Sequence, residues 1–353
     1  MTGPSAGAAA PIHDLEEAPV KLATLRSDNP DGRLVVVSRD LARCAPAPVP
    51  TLQAALEDWG GVAAPLQARA DAVNAGTAPD LQPFVPAQAL APLPRAWQWL
   101  DGSAFLSHAR LMARVFGMEE SASHLPLMYQ GMSHRFMAPL EEVPFRSEQD
   151  GIDFEGEFAV ITDAVPMGTG PAPAARHIRL VALINDWSLR LIGAREMKTG
   201  FGWVQAKPAC SAAPVVVTPD ELGPAWARCR VRLPLRVNWN GAGFGQADGG
   251  EMSFGFDELI AYAAATRDLC AGTIVGSGTV SNEDCREVGS SCIAERRGIE
   301  MLDHGEARTG YLRSGDRVTM EVLDADGTSV FGRIDQRIVV TGGTAAPATE
   351  VAR

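Results

Sequence analysis

No two of the six cysteines, at positions 44, 210, 229, 270, 285 and 292, form a Cys-x-x-Cys pair. Thiolate zinc sites and dithiol redox motifs are therefore absent, and the scattered thiols read as reduced, mostly buried small hydrophobes. A glycine-rich phosphate loop and internal repeats are also missing. Apolar runs such as Leu180–Ile184 fall far short of the ~20 residues that span a membrane. Met1–Pro11 has no basic start followed by an apolar stretch, so it does not read as a secretory signal. A cytoplasmic protein is expected, with no membrane partner. Basic residues are in the minority, 31 against 43 acidic ones, for a net charge of -12. Such a surface repels phosphate backbones and argues against nucleic acid as a partner. An acidic small substrate stays compatible, because a metal or lysine can reverse the sign at one site.

What is present is an ordinary globular composition, 46% hydrophobic and 21% charged over 353 residues, enough for a large domain plus a small one. Residues 1–19 and 342–353 lack periodicity and read as disordered tails. Lys21–Thr24 and Leu34–Ser38 read as strands around a turn-prone Ser27–Gly32. Leu52–Ala75 has helical spacing, with a break expected near Gly60-Gly61. The prolines at 79, 83, 86, 92 and 94 mark the end of a small N-terminal α+β domain, residues 20–95. Residues 96–341 form the second domain. There Ile152–Ile161 alternates, Ile178–Ile184 is nearly continuous, and Pro214–Thr218 and Leu233–Trp239 read as strands. The last of these is closed by Asn240-Gly241, a strong hairpin signal. Phe256–Thr266 has helical character. A second hairpin is expected between Arg317–Leu323 and Ser329–Ile334. Many strands and few helices predict a mainly β or α+β architecture.

The sharpest local feature is Asp153-Phe154-Glu155-Gly156-Glu157-Phe158. On a strand, Asp153, Glu155 and Glu157 share one face and Phe154 and Phe158 the other. Like charges at i and i+2 repel, so water on an open face or a divalent cation in a pocket must offset them. Asp186 ends an apolar run, where a carboxylate needs a partner, a cation or a turn to cap. Asp101 and His108, if helical, lie on one face roughly 10 Å apart. That is too far to share one ion, but it suits a ligand with a base beyond it. Lys207, the small-residue loop holding Thr279, and Glu295 after Cys292 each have an ordinary explanation when taken alone.

Together, in this order, they resemble the fumarylacetoacetate hydrolase superfamily. The resemblance spans about residues 96–340, and residues 20–95 look like the small N-terminal domain that many members carry. It implies a mixed β-roll and a homodimer. It assigns metal carboxylates to Asp101, Glu155, Glu157 and Asp186, the last within Asn185-Asp186-Trp187-Ser188. It matches His108 and its partner Glu295 as the catalytic base pair, Lys207 as a catalytic lysine, and Tyr129 of Tyr129-Gln130-Gly131 and Thr279 as substrate contacts. The segment from Arg190 to Gln205 and the neighbours of Lys207 depart from the pattern, which leaves the substrate open.

An all-oxygen site suits Mg²⁺, with Ca²⁺ or Mn²⁺ as alternatives, and argues against zinc. The implied activity is hydrolysis of a carbon–carbon bond in a 1,3-diketone or acylpyruvate-type oxo-acid in aromatic or amino-acid catabolism. The alternative is an oxo-acid decarboxylase or isomerase on the same scaffold.

Overall fold

The computed structural model describes residues 19–117 and 125–342. The tails expected at 1–19 and 342–353 lie almost wholly outside the described residues.

Val, Ile and Leu runs form an eleven-stranded sheet, as β-branched stretches favour. Along it run Gln82–Pro83, Arg43–Pro46, Arg33–Val37, Lys21–Leu25, Val215–Val217, Ile178–Asn185, Gly156–Thr162, Thr273–Gly276, Gln98–Ser103 and Leu127–Gln130. Ser211–Ala212 pairs to one side of Ile178–Asn185. The sheet crosses from the N-terminal stretch into the rest of the chain at Lys21↔Val217. Lys21 reinforces that seam: its buried ammonium donates to Val330 O at 3.0 Å and lies 3.9 Å from Glu221 Oε1. A five-stranded sheet runs Ala242–Asp248, Pro234–Trp239, Arg317–Val322, Ile334–Val340 and Val143–Phe145.

Alternation divides the core. Phe158 and Val160 face Leu235, Val237, Val318 and Met320. Ala159 and Ile161 share the other face with Leu22 and Leu34, in one cluster with the apolar side of the 52–75 helices. Among the described residues no helix is long and apolar enough to cross a membrane.

Several local expectations change. The helical stretch breaks near Gly60-Gly61 as expected, at Asp58, between Leu52–Glu57 and Trp59–Ala75. Asp58 takes non-helical angles, and its carboxylate fills the space where a Cβ of Gly61 would stand. The Asn240-Gly241 hairpin forms, both residues having positive φ, which suits that dipeptide. The turn at Asp324–Gly327 also forms, but the following strand meets its partner only at Leu323↔Ser329. The long partner of Arg317–Val322 is Ile334–Val340. The Ile152–Ile161 strand is interrupted at Phe154-Glu155. There the Glu155 amide donates to the Asn185 side chain at 3.0 Å, leaving the ladder.

A row of small residues sets the depth of one sheet face. Gly276 pairs with both Asp101 and Ala159, and Ala159 with Ala182. A Cβ on Gly276 would stand 2.3 Å from Trp99 Cη2 and 2.7 Å from Asp101 Oδ1. Gly276→Ala should therefore lower the unfolding free energy by about 1–3 kcal/mol, the usual scale of overpacking. Denaturant melts check this; wild-type stability in the variant would contradict the close fit.

Candidate active site

The carboxylates converge at one end of that face. Asp101 stands on Gln98–Ser103, opposite Tyr129 on the neighbouring strand. Glu157 pairs with Ile184, and Asp186 follows directly after Ile178–Asn185. Glu155 sits in the strand interruption, where its carbonyl accepts from the Asp186 amide at 3.0 Å. All four are buried. One ligand oxygen from each lies within 4.8 Å of the others. Opposite oxygens around one hard cation stand about 4–5 Å apart.

Their partners are unevenly shared. Asp186 Oδ2 accepts from the Tyr129 hydroxyl at 2.7 Å and from Lys207 Nζ at 2.6 Å, and Oδ1 accepts from the Cys210 thiol at 2.9 Å. Glu155 Oε1 accepts from Ser188 at 2.9 Å, lies 2.6 Å from Arg190 Nη2 and 3.2 Å from Lys207 Nζ. Both oxygens of Glu157, and Oδ1 of Asp101, have no hydrogen-bond partner. Orphaned buried carboxylate oxygens are costly unless a cation meets them. This donor set fits a hard divalent ion.

The electrostatics follow the same division. Burial, then repulsion from Asp186, pushes Asp101 well above the usual carboxylate range. Burial, then Asp101 and Asp186, does the same to Glu157. Burial also opposes ionisation of Glu155, but Lys207 and Arg190 outweigh it and hold that carboxyl well below the usual range. Burial works against the charge of Lys207, yet Asp186 and Glu155 more than offset it and raise its pKa. Burial, then Asp186, keeps the Tyr129 phenol protonated.

His108 and Glu295 form a second group. Asp101 and His108 do not share a helix. The Gln98–Ser103 strand ends, and His108 enters on the helix Leu106–Phe116. His108 Nδ1 lies 3.4 Å from Glu295 Oε1, which also accepts from the Ser281 hydroxyl at 2.5 Å. Glu295 is fully buried in the first turn of Ile293–His304. The backbone of Glu155 bridges Cys292, at the start of that helix. Asp153 accepts from the Ile293 and Ala294 amides at 2.7 and 2.9 Å. A carboxylate there satisfies open amides and complements the helix dipole. Through the bridge at Cys292 the helix carrying Glu295 is joined to the strand interruption that carries Glu155. Thr279 is buried in the loop after Thr273–Gly276.

The model of the fumarylacetoacetate hydrolase C-terminal domain matches residues 98–339, and that of fumarylacetoacetase N-terminal domain 2 matches residues 20–95. The chain belongs to the fumarylacetoacetate hydrolase family. A relative in Pyrococcus horikoshii, itself uncharacterised, is 24% identical over 217 residues, covering 61% of this chain and 84% of its own. The fold is similar to a maleylpyruvate hydrolase from Sphingobium sp. SYK-6, with TM-score 0.60, 15% identity, and 91% and 99% of the two chains covered. It is also similar to a 5-carboxymethyl-2-hydroxymuconate delta-isomerase from Mycobacterium smegmatis, with TM-score 0.55, 18% identity, and 92% and 99% covered.

In this family member the sequence reading missed several supporting residues. Arg190 donates through Nε to Asp153 at 2.7 Å and pairs with Glu155, tying the helix cap to the cluster. Ser188, Cys210 and Ser281 each hold a site carboxylate. Ser188 was within the Asp-Trp-Ser segment; a lone arginine, cysteine or serine elsewhere carries no such mark.

A carboxyl whose folded pKa is raised stabilises the fold below its ordinary value, 4.5 for glutamate, and loses that contribution as pH rises. In chelator, Glu157→Gln should melt at or above the wild type, the gap widening from about pH 5 to 8 as wild-type Glu157 is driven towards ionisation. Mg²⁺ should raise the melting temperature of the wild type and not of the variant. Thermal melts at several pH values test this; equal Mg²⁺ stabilisation of both proteins would contradict Glu157 as a ligand.

Proposed function

We propose that this protein is a metal-dependent hydrolase that cleaves a carbon–carbon bond in an acylpyruvate or related 1,3-diketone acid. The observation that carries this reading is the His108–Glu295 pair beside an all-carboxylate cluster. Asp101, Glu155, Glu157 and Asp186 would hold the cation, Mg²⁺ first, with Ca²⁺ or Mn²⁺ as alternatives. When bound, a hard divalent cation supplies Lewis-acid charge for substrate carbonyl oxygens.

The protein's own groups account for the proton steps. Glu295 takes the Nδ1 proton side of His108, which leaves Nε2 with a lone pair as base. Nε2 removes a proton from water as its oxygen bonds to the distal carbonyl carbon. The tetrahedral alkoxide then collapses, the bond to the central carbon breaks, and its electron pair leaves as the pyruvate enolate. The His108 imidazolium, stabilised by Glu295 as in an acid–histidine couple, returns the proton to that carbon. One water is consumed, and a carboxylic acid and pyruvate are formed. Lys207 supplies positive charge for the developing oxyanion, Tyr129 orients Asp186 at the substrate end, and Thr279 offers a positioning hydroxyl. A small oxo-acid substrate, a homodimer and a cytoplasmic location complete the reading.

The second reading is a decarboxylase or isomerase on the same scaffold. Its support is the isomerase of similar fold from Mycobacterium smegmatis. Decarboxylation needs no base, so the His108–Glu295 pair favours hydrolysis over it. Isomerisation would use the same base to carry a proton between carbons, without an attacking water.

His108→Ala should lower kcat on an acylpyruvate by roughly 10²–10⁴ with metal affinity intact. Oxaloacetate decarboxylation, if any, should fall far less. Both rates on one preparation, with metal content checked, separate hydrolase from decarboxylase; undiminished diketone cleavage would remove His108 as the base. Lys207→Ala should lower kcat by roughly a hundredfold or more. A change confined to KM would assign the lysine to ground-state binding instead.

A further inference from the structure

The aromatic side chains beside the cluster bear on which acyl group the site takes. Trp203 meets Tyr129 edge to face, with ring centroids 4.9 Å apart at 88°. Lys207 Nζ lies 5.5 Å from the Tyr129 ring and 5.9 Å from the Trp203 ring. Tyr129 is anchored by its hydroxyl to Asp186, so this aromatic corner stands directly over a cluster carboxylate. The loop that brings Trp203 there is fastened at its base. Glu196 accepts from the amides of Val204, Gln205 and Ala206 at 3.1, 3.0 and 3.0 Å. The rest of that loop exposes apolar side chains: Phe201 is 98% and Val204 76% exposed.

The positive charge nearby is directed at the cluster. Lys207 is held by Asp186 and Glu155, and Arg190 by Asp153 and Glu155. On the helix Arg190–Glu196, Gly193 faces Trp203, a Cβ there standing 3.8 Å from the indole nitrogen. A second carboxylate at the far end of a substrate would meet aromatic faces, because the two cations beside the cluster are directed at its carboxylates and not at this corner.

Resting on the hydrolase reading, we infer that Trp203 is a specificity-determining residue. With Tyr129 it forms the wall for the acyl end of the substrate, and it selects acylpyruvates whose acyl group is uncharged and flat, such as an aroyl group, over those ending in a second carboxylate.

The test compares benzoylpyruvate with fumarylpyruvate on the Mg²⁺-loaded full-length protein, for wild type, Trp203→Phe and Trp203→Ala. The wild type should favour benzoylpyruvate by about tenfold or more in kcat/KM, the scale of apolar pocket discrimination. Trp203→Ala should lose about tenfold on benzoylpyruvate, mainly through KM, with fumarylpyruvate turnover and Mg²⁺ affinity unchanged. Trp203→Phe should keep most of the preference. A preference for fumarylpyruvate overturns the inference, and so does an equal loss on both substrates. If neither acid is cleaved, the hydrolase reading fails and calorimetric binding decides the wall alone. Tighter binding of benzoylpyruvate, weakened in Trp203→Ala, supports it; equal binding of both acids overturns it.

Discussion

Negative charge that the protein does not itself neutralise governs this structure. Asp101, Asp153, Glu155, Glu157 and Asp186 are all buried within one neighbourhood. Two cations, Lys207 and Arg190, stand against them. Buried like charges repel strongly in a medium of low polarity. The protein handles the surplus unevenly. Asp153 is spent on a helix N-terminus and Arg190. Asp186 and Glu155 are quieted by hydroxyl, thiol, ammonium and guanidinium donors. Glu157 and one oxygen of Asp101 are left without partners. That pattern makes sense as a site completed by a divalent cation, with affinity concentrated on the two least compensated ligands.

The fold creates room for this charge by withholding side chains. Gly276, Ala159 and Ala182 form a low row across the sheet, and Asp101, Glu157 and Asp186 rise beyond it. His108 and Glu295 reach the same place by short routes. Asp101 and His108 are separated by one strand end and a turn, and Glu295 follows three residues after the Cys292 that bridges Glu155. Chemistry and scaffold are thus coupled through few bonds, so a substitution such as Arg190→Met would loosen the helix cap and the cluster together.

Three of the four cluster carboxylates, Glu155, Glu157 and Asp186, were legible because the Glu-x-Glu alternation and the Asn185-Asp186-Trp187-Ser188 segment mark them in the sequence; Asp101 joined them only through the resemblance. The resemblance supplied the order that joins them to His108, Glu295 and Lys207. Local geometry was less legible. Asp101 and His108 fit a single helical face by spacing, but a strand followed by a helix brings them into one site by another path. The break at Phe154-Glu155 depends on the side chain of Asn185, thirty residues away, and no local pattern announces it. The same holds for Ile334–Val340 replacing Ser329–Ile334 as a strand partner, and for Arg190, whose importance lies only in the two carboxylates that surround it. Trp203 gave no periodic signal because it stands on a loop.

The central claim is that Asp101, Glu155, Glu157 and Asp186 jointly hold one divalent cation. The most direct measurement is anomalous diffraction at the manganese edge from crystals of the full-length protein soaked in Mn²⁺. The account predicts a single strong peak within coordination distance of a carboxylate oxygen from each of the four residues. A protein that takes up Mn²⁺ only elsewhere, or shows no peak among these four side chains, would contradict it.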